Sequence, residues 1–363
     1  IFCLEFKKLS GVRIMAYTVI DNPIEYFNTL IWTGNGASSR AISSLGHQPD
    51  LCWFKERGGT EDHHFFDSVR GAGVRFNTNG NAASNADGAD RRLLSFDSDG
   101  FTVGLDNAMN GNSKTYVSWN WKCESAFSND ASSTSVGSID SAGKVNTTAG
   151  ISIVKWTGTG SAATIAHGLG IQPQIVFVKN IDDTSSWNVY SVVGTGAKGL
   201  FLNENNGLDS DTSYFNSGTS STTTFPVGTA NTANGDGDEM MAYSFGDVKG
   251  YSKIGSYQGN GNADGTVVNT GFRPAWIMLK NTSRAASWLI FDDKREGYNI
   301  DNDELVANTT AAEETYDQLD ILSNGFKLRT NGTSANLNGD VYLYMAFADS
   351  PFANSNGVPC NAR

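Results

Sequence analysis

Seven prolines, four cysteines and four histidines in 363 residues put several kinds of protein out of reach. None of Cys3, Cys52, Cys123 and Cys360 stands in a C-x-x-C pair, and no histidine lies near them at zinc-ligand spacing. Neither a zinc module nor a disulfide framework is therefore expected; Cys52, inside the apolar run Leu51–Phe54, reads as a small core residue. No stretch approaches 18 uninterrupted apolar residues, so no membrane-spanning helix and no membrane insertion are expected. Positive charge is also short: 38 acidic residues face 26 basic ones, a net charge of −12. A nucleic-acid backbone or an anionic bilayer would be repelled by that surface. The phosphate-loop and nucleophile-elbow patterns are missing. Gly194–Gly199 matches G-x-G-x-x-G by letter, but Leu200-Phe201-Leu202 follows it and reads as a strand, whereas a pyrophosphate needs a helix N-terminus.

Glycine, by contrast, is plentiful at 40, and Asn, Ser and Thr crowd between short apolar runs. That pattern predicts an all-β protein of many short strands and tight turns. An internal repeat organises them. Gly46-His47-Gln48-Pro49, Gly170-Ile171-Gln172-Pro173 and Gly271-Phe272-Arg273-Pro274 each precede an apolar run ending in Lys55, Lys179 or Lys280. Upstream lie Trp32-Thr33-Gly34-Asn35-Gly36, Trp156-Thr157-Gly158-Thr159-Gly160 and Tyr257-Gln258-Gly259-Asn260-Gly261. Downstream come the short runs His63–Asp67, Trp187–Ser191 and Trp288–Asp292, then Ser98–Phe101 and Ser323–Phe326, for which Thr224–Val227 is a looser counterpart. Each unit closes on a turn and an aromatic strand: Asn110-Gly111 before Tyr116–Trp121, Asn234-Gly235 before Met240–Phe245, and Asn338-Gly339 before Val341–Phe347. Tyr116, Ser118 and Asn120 alternate with Val117, Trp119 and Trp121, the period of two that a strand requires.

The expected architecture is three tandem antiparallel β-sandwich repeats of the jelly-roll or lectin-like kind. A leader and lead-in occupy 1–28, and residues 1–14 are read as upstream or added sequence because Met15-Ala16-Tyr17-Thr18 reads as a natural start. The repeats cover 29–124, 150–252 and 253–350, with a polar linker at 125–149 and a tail at 351–363. Only Asn302–Leu322 admits a helical turn or two.

Chemistry is sparse on this frame. His47, the pair His63-His64 and His167 occupy turn or strand positions where packing is the natural role. No catalytic residue is assigned. Asp236 and Asp238, in Asp236-Gly237-Asp238-Glu239, are the candidates for calcium, in a loop without the full twelve-residue spacing, with a polar hairpin turn as the alternative; the pair His63-His64 could also meet a metal, though packing is favoured there. Glu313-Glu314 reads as solvated. Tryptophans and tyrosines could stack on sugar rings, but their recurrence at shared strand positions favours the core.

The landmarks resemble a family of virion proteins of tailed, often marine, bacteriophages. The resemblance rests on Met15–Pro23, the aromatic-Thr-Gly-Asn-Gly turn, the Gly-x-Gln-Pro-Asp strand, Phe66–Gly71, Gly271–Trp276, Ala346–Phe352 and the terminal Ala362-Arg363. Such proteins are described as tail-fibre-like or as lectin/glucanase-like (concanavalin A-like). The resemblance implies a non-enzymatic structural or adhesion protein on an exposed appendage of the virion, assembled in the host cytoplasm. Its partners would be host-surface polysaccharide and other virion proteins, and a homotrimer follows by analogy with fibres. The alternatives are a polysaccharide depolymerase or glycosidase and a ligand-free capsid decoration or baseplate protein. The Glu-x-Asp-x-x-Glu strand of lectin-like glucanases is missing here.

Overall fold

A computed structural model describes residues 17–86, 91–193, 198–295, 299 and 301–360. The leader with Cys3, the start of the Gly194–Gly199 stretch and the terminal Ala362-Arg363 lie outside the described residues. The chain is all-β, in several antiparallel sheets.

The first large sheet takes its strands in the order Phe27–Thr33, Thr115–Trp121, Leu51–Glu56, His64–Asp67, Arg75–Asn77. The second runs Ile151–Thr157, Glu239–Gly246, Pro173–Asn180, Asn188–Ser191, Leu200–Phe201, and the third Ser252–Gln258, Val341–Pro351, Phe272–Asn281, Trp288–Asp292, Asp301–Val306. The pairing order is the same in all three, and the Gly-x-x-Pro turns enter the same middle strand. A smaller sheet accompanies each: Ser39–Ser43, Gly100–Gly104 and Leu93–Asp97 in the first set, Ala163–Ala166 with Thr224–Val227 in the second. In the third set Asp301–Val306 also pairs with Glu314–Leu322, so the small sheet continues from the large one.

Residues 125–149, read from sequence as a linker, instead supply strands Ser125–Asn129 and Ser141–Asn146, which extend the second large sheet to seven strands. Asn302–Leu322 is two strands and not a helical turn. Among the described residues, the α-helical turns are Asn107–Asn110, Ala131–Thr134 and Asn231–Asn234. In the first of them the Asp106 carboxylate accepts the Ala108 N–H as an N-terminal cap.

Alternation along the strands decides what each face covers. Val117, Trp119 and Trp121 point into a core shared with Ile153, Phe177 and Phe245 of the second set and Trp276, Met278 and Phe347 of the third. Tyr116, on the opposite face, packs with Trp32, Phe54, Phe66 and Phe101 beneath the small sheet of its own set. The second and third sets have private cores of the same kind. The equivalent residues Trp121, Phe245 and Phe347 close a triangle of ring contacts with centroids 5.6–6.0 Å apart.

Hydrogen bonds follow the same cycle. Trp187 Nε1 donates to the Asn77 carbonyl of the first set at 3.1 Å, and Trp288 Nε1 to the Phe201 carbonyl of the second at 2.8 Å. His63 holds the corresponding place against the Val306 backbone of the third set and accepts Trp53 Nε1 on Nδ1 at 3.0 Å.

Close backbone approach explains the repeated aromatic-x-Gly turn. A Cβ on Gly34, Gly158 or Gly259 would sit 2.0–2.2 Å from the carbonyl oxygen of Gly111, Gly235 or Leu337 respectively. The third closing turn runs from Leu337 to Asp340 with Asn338-Gly339 at its centre, as the sequence suggests, and Asn336-Leu337 holds the place of Asn110-Gly111 and Asn234-Gly235. Gly158→Ala is expected to cost roughly 1–3 kcal/mol through overpacking, read as a lower urea midpoint; an unchanged midpoint would mean the two turns separate freely.

Candidate functional site

Most side chains that sequence marks as chemical candidates are occupied in holding the fold. Asp238 Oδ2 accepts the Asn180 amide at 2.7 Å. Asp340 and Asn281 repeat that bond at 2.8 Å in the third set, and Glu56 with Lys114 makes an ion pair of 3.1 Å at the same place in the first. Asp236 sits in the turn beside Gly160, where the other sets place Asn112 and Asn338 against Gly36 and Gly261. These equivalences favour turn and strand-tying roles for both aspartates. Among the described residues, no group of three or more His, Cys, Asp or Glu could hold a metal ion.

All four histidines are buried. His47 Nδ1 donates to the Ile24 carbonyl at 2.7 Å, and desolvation pulls its pKa down to about 4. Burial holds His167 at about 4 and His64 at about 3, and pushes His63 well below its ordinary value. These are neutral core imidazoles. Lys55, Lys179 and Lys280, the repeated strand-end lysines, are also buried, with desolvation lowering them to about 8, 8 and 7. Each spends its ammonium on main-chain carbonyls of the following loop, such as Gly59 at 2.8 Å for Lys55. Cys52 and Cys123 are buried free thiols, and all eight tryptophans are buried.

Glu313 departs from expectation. It is no solvated side chain: Arg57 of the first set binds it at 2.6 and 3.0 Å, and Arg295 at 2.9 Å. Nearby, Glu304 lies directly across the ladder from Glu314, so both project from one face. Burial raises Glu304 to about 7 while Glu314 is exposed, and Tyr316, two residues on, is 52% exposed.

The junction between the second and third sets opens at one end into a polar cleft of about 550 Å³ between residues 206–210 and 282–285. Arg284 reaches from one wall to Asp340, with its Nη2 at 2.7 Å and Nε at 2.6 Å. Asp209, on the other wall, accepts the Asp211 N–H at 2.9 Å. Ser283 Oγ accepts the Val341 N–H at 2.9 Å, which leaves its hydroxyl hydrogen to point outward. Sequence reasoning did not single out these residues. The available signal was the divergence two residues beyond each repeated lysine, where Arg57, Ile181 and Thr282 stand in place of one another.

A family model described as "Domain of unknown function (DUF7483)" matches residues 22–351. No curated protein matches the chain.

Proposed function

Because the chain belongs to the DUF7483 family, whose description assigns no activity, we propose a function from geometry: a non-enzymatic structural and adhesion protein of a tailed-phage virion that meets host-surface polysaccharide. Its three sets of strands are three copies of one β-sandwich, arranged as a ring around a shared core. The observation that carries this reading is the cyclic series of bonds from set to set, which gives one chain the threefold closure that fibre proteins obtain from three. A further homotrimer is not needed for that closure. The commitment of histidines, lysines and Asp238 to structure supports a role in holding and presenting, and the polar cleft supports a hydrophilic ligand.

A second reading, a polysaccharide hydrolase, has one observation in its favour. Glu304 is held near neutral pH as an acid opposite the exposed carboxyl of Glu314, with Tyr316 beside them. Paired carboxyls in unlike environments are the equipment of glycoside hydrolysis.

One experiment separates these readings. The purified chain is passed over a panel of bacterial surface polysaccharides, and both retention and polymer length are recorded. Retention with unchanged length is the expected result. Shortening that disappears in Glu304→Gln would establish the hydrolase instead. Neither retention nor shortening would leave the ligand-free scaffold as the role.

A further inference from the structure

The three junctions of the ring share one backbone bond. Ser84 N–H donates to the Ile181 carbonyl, Leu208 N–H to Thr282, and Glu313 N–H to Arg57, at 2.7–3.0 Å. The accepting residues are equivalent, because their own N–H groups donate to Glu239, Val341 and Thr115 at the start of the closing strands. Their side chains differ. Ile181 is 7% exposed and packs into the shared core. Arg57 extends across its junction to Glu313 and, at 3.3 Å, to Asp303. Thr282 is short and turns its hydroxyl to the Val341 carbonyl at 2.9 Å. The cleft of about 550 Å³ lies at this third junction, against Thr282. Its volume falls in the range of pockets that take small ligands.

We propose that this cleft binds a short segment of neutral, hydroxyl-rich saccharide; the inference rests on the glycan-binding reading above. Charge narrows the ligand. Arg284 is already neutralised by Asp340, and Asp209 adds a negative group, so an anionic ligand gains nothing there. Hydrogen-bonding capacity narrows it further. The Asn206 amide nitrogen donates to Glu204 at 3.1 Å, leaving its carbonyl to accept, while Ser283 has a hydrogen to donate. Sugar hydroxyls both donate and accept, so they match a wall of alternating leftovers. Leu208 is the one large apolar side chain among the lining residues, which disfavours an aromatic or aliphatic ligand.

The test uses the full chain on immobilised neutral bacterial polysaccharides, with alginate as a carboxylated comparison. Thr282→Arg copies the first set's plug into this junction. Ala285→Trp fills the cleft from an exposed wall position and guards against a folding defect in the first variant. The expected result is retention of the unsubstituted chain on a neutral polymer, at least tenfold weaker binding by both variants, and an unchanged unfolding midpoint for Ala285→Trp. Equal binding by Ala285→Trp and the unsubstituted chain would overturn the cleft assignment and leave glycan binding intact. Binding to alginate alone would overturn the ligand class. No binding by the unsubstituted chain would remove the glycan reading itself, and the cleft proposal with it.

Discussion

Asp67→Ala will destabilise the protein by about 3–5 kcal/mol, the range for breaking a buried charge pair from one side. Asp67 is fully buried and accepts four hydrogen bonds: Val69 N–H at 3.1 Å, Arg70 N–H at 2.9 Å, Arg70 Nε at 2.6 Å and, from the second set, the Tyr243 hydroxyl at 2.6 Å. Its removal strands the Arg70 guanidinium over the Phe76 ring, 3.7 Å from the centroid. The third set repeats the device at Asp292, which takes Arg295 Nε at 2.6 Å and Trp119 Nε1 of the first set at 2.9 Å. Arg295 also reaches Glu313, so Asp292→Ala is expected to cost less than Asp67→Ala. At the remaining junction the equivalents of the acceptor and the donor are Ser191 and Met345. The measurement is the urea midpoint of each variant, beside a double variant Asp67→Leu with Arg70→Met. Replacing both partners by apolar groups should cost less than losing the carboxylate alone. A double variant worse than the single one would mean the pair contributes net stability beyond satisfying its own burial.

Much of this fold is legible in the chain because turns demand particular residues. Pro49, Pro173 and Pro274 mark the same strand entry, and Gly34, Gly158 and Gly259 mark the same close backbone approach. Alternation reveals that Val117, Trp119 and Trp121 need cover, but not that the cover comes from two other sets of strands. A strand pattern records how much is buried and is silent about the partner. The strands at 125–129 and 141–146 were hidden because they are held at a sheet edge by main-chain pairing, with mostly small or polar side chains. Glu314–Leu322 was hidden because its first half is exposed and acidic, which removes the apolar alternation. The cleft was the least legible feature. It lies beside Thr282, and the difference among Arg57, Ile181 and Thr282 acquires meaning only when the three positions are known to face equivalent junctions.

Stability will be greatest at alkaline pH, near 10, and will fall steeply below pH 6.5. The four histidines dominate the acid side. Their folded pKa values, about 4 for His47 and His167, about 3 for His64 and lower than usual for His63, lie below the ordinary 6.5. The unfolded chain therefore takes up protons that the folded chain refuses. Their contribution is fully present above pH 6.5 and is lost as the pH falls toward 4, at about 1.4 kcal/mol per pH unit for each histidine. Two carboxyls oppose this: Glu304 at about 7 and Asp293 at about 6, both raised by burial, bind protons more readily when folded and so gain stability as the pH falls through those values. Four groups against two leave a net loss on the order of 5 kcal/mol between pH 7 and 4.5, comparable to the whole stability of many domains. On the alkaline side, Lys55, Lys179 and Lys280 are held at about 8, 8 and 7, below the ordinary 10.5, because burial penalises the charged amine. That penalty fades as the pH rises from 7 toward 10. Buried Cys52 and Cys123, with raised pKa values, act in the other direction once unfolded thiols begin to ionise near pH 9. Melting temperatures taken from pH 4.5 to 10 should rise across the range and flatten above pH 9, where the two thiols oppose the three lysines, and His64→Gln should flatten the acid limb by about one proton's slope. A level profile from pH 7.5 to 5 would mean that the imidazoles are not held neutral in the core, and a maximum below pH 7 would mean the three lysines reach solvent.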